Sequence, residues 1–174
     1  MMPDGNRQNV ECILSDVDGV LTNGEIVFDN QGIESKSFHI RDGLGIKLWQ
    51  NAGYQFAILT ARSSRIVDVR SAELGIDIVR QGFEEKLPIA QQIIRELQLA
   101  PEQVCYIGDD LTDLPVMRYV GWSVAVADAV NEIREQADQI TQTPGGQGAV
   151  RELIEDLLRA KGCWEDLVRH YSTD

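Results

Sequence analysis

Basic residues are scarce in this chain, with 16 Lys and Arg against 28 Asp and Glu and a formal net charge of −12. A negative field of this size repels nucleic acid and anionic membrane surfaces, so partners of both kinds are disfavoured. Long apolar runs are also missing, since none approaches the roughly 20 residues that a membrane span requires. An anionic ligand of such a protein would need a metal ion or a few well-placed cations.

Cysteine is rarer still, with three residues. Cys12, Cys105 and Cys163 lie far apart and show no CxxC spacing, which is typical of reduced thiols in a core. The first eleven residues are polar instead of basic and then apolar, so no signal peptide is predicted. Both features predict a cytoplasmic protein.

The 174 residues suit one domain, spanning 1–174. Short apolar runs alternate with amphipathic stretches, a pattern typical of a parallel sheet covered by helices. We therefore predict an α/β fold, a three-layer Rossmann-like parallel sheet flanked by helices. The predicted strands are 10–14, 55–59, 76–79, 104–107 and 123–126, and the predicted helices are 44–51, 63–74 with Ser63 as N-cap, 86–97 and 149–161.

One segment breaks this alternation. Residues 25–28 and 33–40 have strand character and flank the turn 29–32, so a β-hairpin is predicted at about 24–40, after the first strand. A C-terminal helix and tail are predicted at about 149–174. The apolar positions of 163–171 have helical spacing, and this segment could pack on its own core or dock on a partner subunit.

Polar motifs follow four of the predicted strands. Because open α/β sheets bind ligands at the carboxyl ends of their strands, these motifs are expected to meet at one edge. A pair of carboxylates at a strand end can also be a solvated turn, but the other motifs favour a site. The motifs are Asp16-Val17-Asp18-Gly19-Val20-Leu21-Thr22, Leu59-Thr60, Lys86 and Gly108-Asp109-Asp110-Leu111-Thr112-Asp113.

These residue types suit phosphoryl transfer to a carboxylate, which needs a nucleophile, a counter-charge and an acid for the leaving alcohol. Asp16 can be the nucleophile, and Asp18 can act as general acid and then as general base. Lys86 supplies positive charge and Thr60 a hydroxyl donor. Mg²⁺ prefers oxygen ligands, and Asp16, the Asp18 carbonyl and Asp109 would form part of its coordination shell.

In this order the four motifs resemble those of the haloacid dehalogenase superfamily, over about residues 10–148. The resemblance implies that Asp16 is the nucleophile, that Asp18 is the acid/base, and that the reaction is a phosphatase reaction. It further implies phosphate contacts from Thr60 and Lys86, a metal-ligand role for Asp109, and a supporting role for Asp110 and Asp113 in orienting metal waters or Lys86.

The intervals between Asp18, Thr60 and Lys86 are too short for a full cap domain. With its hairpin, the chain resembles the capless phosphatases of 3-deoxy-D-manno-octulosonate 8-phosphate. That resemblance implies a Mg²⁺-dependent enzyme of lipopolysaccharide biosynthesis that acts on a small sugar phosphate. It also implies a homotetramer in which the hairpins assemble around a symmetry axis and neighbouring subunits help to close each active site.

The same resemblance suggests residues that bind the sugar. Arg62 is the candidate for the sugar carboxylate, because its planar guanidinium suits bidentate recognition. His39 and Arg41 are further candidates, as are Gly146 and Gln147 in the glycine-rich loop 143–148. Members of this family often carry Arg at the position of Gln147.

Three alternatives stay open. A nonulosonate 9-phosphate phosphatase shares nearly all of this pattern. A phosphoacceptor signalling domain also places carboxylates, a Thr and a Lys around Mg²⁺, but it lacks an acid/base such as Asp18. A catalytically weak oligomerisation module is the third, and the complete set of four motifs speaks against it.

Overall fold

Strands and helices alternate along the chain in the computed structural model, which describes residues 5–172. The strands are β1 (Cys12–Ser15), β2 (Val27–Phe28), β3 (Glu34–Ser35), β4 (Gln55–Thr60), β5 (Ile78–Gln81), β6 (Val104–Gly108), β7 (Trp122–Ala125) and β8 (Gln139–Ile140). The helices are α1 (Gly5–Gln8), α2 (Ile40–Asn51), α3 (Arg65–Leu74), α4 (Lys86–Glu96), α5 (Leu114–Met117), α6 (Asn131–Arg134), α7 (Ala149–Ala160) and α8 (Trp164–His170), with 3₁₀ turns at Pro101–Gln103 and Leu111–Asp113.

Residues 1–4 and 173–174 lie outside the described part. The first residues of the N-terminal segment discussed above and the last two residues of the predicted C-terminal tail are therefore not described. None of the helices within residues 5–172 has the length and apolarity needed to cross a bilayer.

Six strands form one parallel sheet in the order β5-β4-β1-β6-β7-β8. Strand β1 lies between β4 and β6, with Ser15 in register with Ile58 and Ile107. All four residues of β1 are buried, as expected for a strand covered by helices on both faces. The predicted α/β fold is confirmed, and the carboxyl ends of β1, β4 and β6 lie side by side.

Several element boundaries differ from the prediction. Strand β8 was missed, because a two-residue strand is too short to give an apolar pattern. The N-cap of α3 is Ser64, whose Oγ accepts a hydrogen bond from the Ile66 N–H at 3.3 Å, so the prediction of Ser63 was wrong by one residue. Gly75 ends this helix in the left-handed conformation, as its position after the helix predicts.

The hairpin is present but its paired strands are short. Only β2 and β3 pair, antiparallel, and the prediction that the second strand extends to residue 40 was wrong, because Ile40 already begins α2. Asp42 in the first turn of α2 has an acidic side chain that suits a helix N-terminus, so the helix starts four residues before the predicted position 44.

The glycine-rich loop before α7 packs on the segment after β1. The Gly146 N–H donates to the Val20 carbonyl at 2.8 Å. A Cβ at Gly145 would overlap the Gly19 carbonyl oxygen, so only glycine allows this close approach. After α7, helix α8 packs on the chain's own core through Trp164, which is 7% exposed.

Candidate active site

Lys86, the first residue of α4, is buried at the carboxyl edge of the sheet with its ammonium between two carboxylates. Its Nζ lies 2.8 Å from Asp16 Oδ2 and 2.5 Å from Asp113 Oδ1. Burial alone would lower the pKa of the Lys86 ammonium, but the two carboxylates hold this pKa above its ordinary value. Lys86 therefore stays charged and fixes the Asp16 side chain, whose Oδ1 accepts from the Val17 N–H at 2.7 Å.

Asp113 joins the loop after β6 to this lysine. It is fully buried, and besides Lys86 its Oδ1 accepts a hydrogen bond from Tyr106 Oη at 2.6 Å. Its Oδ2 accepts from the N–H groups of Asp109, at 2.8 Å, and Asp110, at 3.2 Å. Four donors thus occupy both oxygens, and Asp113 acts as a scaffold for the site.

The surroundings of Asp16 and Asp109 disfavour the ionised form of both carboxyl groups. Burial and the Asp113 charge, opposed by Lys86, raise the pKa of Asp16 to about 6. Burial and the charges of Asp113 and Asp16 raise the pKa of Asp109 to about 8. Asp109 Oδ1 is buried and has no hydrogen-bond partner among residues 5–172.

This arrangement fits a divalent cation. Single carboxylate oxygens of Asp16, Asp109 and Asp113 lie within 4.8 Å of one another. When all three carboxyl groups are ionised, one ammonium leaves two negative charges that a divalent cation would balance, and oxygen donors are those that Mg²⁺ prefers. Each oxygen of Asp113 already accepts two protein donors, whereas each oxygen of Asp16 has one and Asp109 Oδ1 has none in the described part of the chain, so the lone pairs left for an ion are those of Asp16 and Asp109.

Asp18 lies two residues beyond Asp16, but its side chain belongs to a second group of charges. The Lys36 ammonium contacts Asp18 Oδ1, and Arg62 Nη1 lies 3.8 Å from Asp18 Oδ2. Arg62 Nη2 in turn pairs with Glu34 Oε1 at 2.8 Å. Sequence reasoning predicted Asp18 and Arg62 in the site but missed Glu34 and Lys36.

The alternation of residues along the hairpin indicates that Glu34 and Lys36 face inward. From Glu34 to Phe38, side chains alternate between partly buried and exposed, with the polar Ser35 and Ser37 exposed. An extended segment points every second side chain to the same side, so Glu34 and Lys36 share a direction with the apolar Phe38. Two charged residues on an inward-facing side indicate a polar partner beneath them.

The other predicted residues divide into two groups. Thr60 is buried at the end of β4, beside β1, and Asp110 is an exposed N-cap that accepts a hydrogen bond from Leu111 N–H at 2.7 Å. Arg41 and Gln147 instead line a separate cavity of about 720 Å³, whose lining residues within 5–172 include none of the carboxylates around Lys86. His39 borders a small internal cavity beside Asp42, and Gly146 packs against the backbone of 22–23.

A family profile described as haloacid dehalogenase-like hydrolase matches residues 68–153. The 3-deoxy-D-manno-octulosonate 8-phosphate phosphatase KdsC of Escherichia coli K12 is 45% identical over 155 residues, which cover 89% of this chain and 82% of that protein.

Two solved structures have the same fold. The octulosonate 8-phosphate phosphatase of Moraxella catarrhalis, in complex with a magnesium ion, a phosphate ion and a KDO molecule, has a TM-score of 0.95 and 35% identity, and the match covers 97% of each chain. The cobalt-bound phosphatase of Haemophilus influenzae has a TM-score of 0.92 and 39% identity, covering 97% of this chain and 99% of that one. The chain therefore belongs to the haloacid dehalogenase-like hydrolases and, within them, to the family of the 3-deoxy-D-manno-octulosonate 8-phosphate phosphatases.

Proposed function

We propose that this chain is a Mg²⁺-dependent phosphatase that hydrolyses 3-deoxy-D-manno-octulosonate 8-phosphate through an aspartyl phosphate on Asp16. The observation that carries the proposal is the buried arrangement of Asp16, Lys86 and Asp113 beside Asp109, in a chain whose relatives act on this substrate. A bound magnesium ion would be held by Asp16 and Asp109 and would neutralise negative charge on the phosphate.

The residues divide the reaction into two steps. Asp16 attacks phosphorus and the P–O bond to the sugar breaks, while Asp18 gives its proton to the departing sugar oxygen. Asp18 then takes a proton from water as the water oxygen attacks phosphorus, which releases inorganic phosphate and restores Asp16. Lys86 and the Thr60 hydroxyl stabilise the negative charge of the transferred phosphoryl group.

Arg62 is the proposed contact for the substrate carboxylate. It lies beside Asp18, and its Nη1 is buried with no hydrogen-bond partner in the described part of the chain. A substrate carboxylate would satisfy this donor. The predicted result of Arg62→Met is a KM at least about tenfold higher for the octulosonate ester, since a lost charged hydrogen bond costs about 1.5–3 kcal/mol. Arg65→Met, an exposed arginine on the first turn of α3, is the matched control.

The direct test of the substrate is a panel of phosphate esters assayed with Mg²⁺. We expect the highest kcat/KM with 3-deoxy-D-manno-octulosonate 8-phosphate, lower values with a nonulosonate 9-phosphate, and the lowest with simple esters. A higher kcat/KM for the nonulosonate ester would overturn the substrate assignment and leave the phosphatase chemistry standing.

We further propose that the enzyme is a homotetramer assembled through its hairpin. Ile26, Val27, Phe28 and Ile33 are each about half exposed or more, which is unfavourable for an isolated hairpin of two-residue strands. The same assembly would give the cavity beside Arg41 a function, by placing it near a neighbour's active site.

Light scattering tests this assembly. We expect a mass four times that of the 19.4 kDa chain, and a smaller mass for Phe28→Asp. Tyr171→Asp, at a residue 65% exposed on the opposite end of the chain, should leave the mass unchanged. A monomeric wild-type protein would refute the proposal.

The cytoplasm is the proposed site of action. All three cysteines are free thiols, which suits a reducing compartment. Burial raises the pKa of Cys12 to about 12, so this thiol resists oxidation. Recovery of the protein with the soluble fraction after cell disruption, and none with the periplasmic fraction, would agree with this location.

A further inference from the structure

Lys36 has a buried side chain that the reaction described above does not use. Its side chain is 1% exposed, and its ammonium contacts Asp18 Oδ1. Lysine is almost never buried without a charged partner, because removing its ammonium from water is costly. The carboxylates of Asp18 and Glu34 therefore allow this lysine to point inward from the hairpin.

The hairpin holds Lys36 in place through a second anchor. Glu34 Oε1 lies 3.4 Å from the Lys36 ammonium, and Glu34 Oε2 accepts a hydrogen bond from Ser64 Oγ at 3.1 Å. Ser64 is the N-cap of α3, so the hairpin is tied to a regular helix. The backbone that carries Lys36 is thus held in place relative to Asp18.

The position of the Asp18 carboxyl group depends on this contact. The residue follows the end of β1 and its side chain is 19% exposed, so without partners it would be free to sample several rotamers in water. A general acid works only within hydrogen-bond reach of the oxygen that it protonates, and a displacement of 1 Å can cost about 100-fold in rate.

We propose that Lys36 is a positioning residue for Asp18: the ammonium delivered by the hairpin holds the acid/base carboxyl group in its working orientation. The inference rests on the proposed phosphatase function. The positioning role also connects assembly with catalysis. Lys36 lies on the hairpin, and the exposed apolar residues of that hairpin are those that other copies of the chain would cover.

The alternative is that the pair of Lys36 and Asp18 only fastens the hairpin. The two roles differ in how the rate depends on the leaving group. Protonation by Asp18 matters for a sugar alkoxide, which is a poor leaving group, and matters little for 4-nitrophenolate, which leaves without a proton. Loss of a positioned acid therefore affects the two esters unequally, whereas a loosened hairpin affects both.

The experiment measures kcat/KM, which covers the steps up to alcohol release, for the octulosonate ester and for 4-nitrophenyl phosphate. In Lys36→Met we expect a loss of about 10- to 100-fold for the sugar ester and less than about 3-fold for the nitrophenyl ester. Lys36→Arg, which keeps the charge, should recover most of the loss. If the Met variant fails to fold by circular dichroism, Lys36→Gln replaces it.

Asp29→Ala is the matched control for hairpin stability. Asp29 Oδ1 accepts hydrogen bonds from the N–H groups of Gln31 and Ile33 in the turn, far from Asp18 along the hairpin. This variant should change both esters by the same factor. Equal losses on the two esters in Lys36→Met, or no recovery in Lys36→Arg, would overturn the positioning role alone. A wild-type protein that hydrolyses neither ester would overturn the proposed function, and the positioning role with it.

Discussion

Replacing Asp113 by asparagine tests how far one buried carboxylate organises the site. Each oxygen accepts two hydrogen bonds, one pair from Lys86 and Tyr106 and the other from two backbone N–H groups. An amide has a single oxygen, so it can serve only one pair and must turn its own N–H groups toward the other.

The expected loss of stability follows from those contacts. Two hydrogen bonds to a charged group are lost, at about 1.5–3 kcal/mol each, so Asp113→Asn should lower the free energy of unfolding by about 3–6 kcal/mol. For a chain of this length that corresponds to a fall in Tm of about 6–24 °C. Phosphatase activity should fall as well, because the Asp109 N–H and the Lys86 ammonium lose a shared anchor.

Urea and thermal unfolding with a chelator present measure this loss without a contribution from bound metal. Asp110→Asn is the matched control, because Asp110 is exposed and its side chain accepts one hydrogen bond, from the Leu111 N–H. Its loss should stay below about 1 kcal/mol. An Asp113→Asn variant within about 1 kcal/mol of wild type would refute the reasoning that four donors depend on this carboxylate.

Three further changes test the protonation of the site, the packing of the glycine-rich loop and the support of Asp113. In metal-free protein the pKa of Asp109, raised from 3.8 to about 8, means that the folded state keeps a proton which the unfolded chain releases. Stability should therefore fall between about pH 4 and pH 8. Asp109 contributes up to about 1.4 kcal/mol per pH unit, and Asp16, whose pKa is raised to about 6, adds to the fall below about pH 6. Mg²⁺ should reduce this slope in pH-dependent urea melts. Gly145→Ala should destabilise the protein by about 2 kcal/mol or more because its Cβ overlaps backbone, whereas Gly53→Ala, in open space at a positive φ, should cost about 1 kcal/mol in the same melts. Tyr106→Phe should cost about 1.5–3 kcal/mol, because Asp113 loses one buried donor, and thermal unfolding measures this loss.

Much of the site could be predicted from sequence because its residues stand next to strands with a strong local pattern. Asp16, Thr60 and Asp109 follow apolar runs, and parallel pairing alone brings those strand ends together. Lys86 could be placed at the start of a helix by the amphipathic pattern after it.

The parts that were missed depend on tertiary contacts. The alternation of 34–38 places Lys36 on the same side as Phe38, but the contact between Lys36 and Asp18 forms only when the hairpin folds back onto the segment after β1. The choice of Ser64 over Ser63 as N-cap depends on contacts with Gln81, whose side chain accepts from the Ser64 N–H at 2.8 Å. Arg41 and Gln147 line a cavity whose lining residues within 5–172 do not include Lys86, so their position beside a strand end or loop did not place them at the carboxylates.

The central claim is that phosphate passes through Asp16, and trapping the aspartyl phosphate tests it most directly. Enzyme mixed with Mg²⁺ and the octulosonate ester, quenched and reduced with borohydride, should contain homoserine at position 16 by peptide mass spectrometry. Enzyme without substrate and the Asp16→Asn variant should show none, and that variant should not release phosphate. Reduction at another carboxylate, or undiminished phosphate release by Asp16→Asn, would contradict the account.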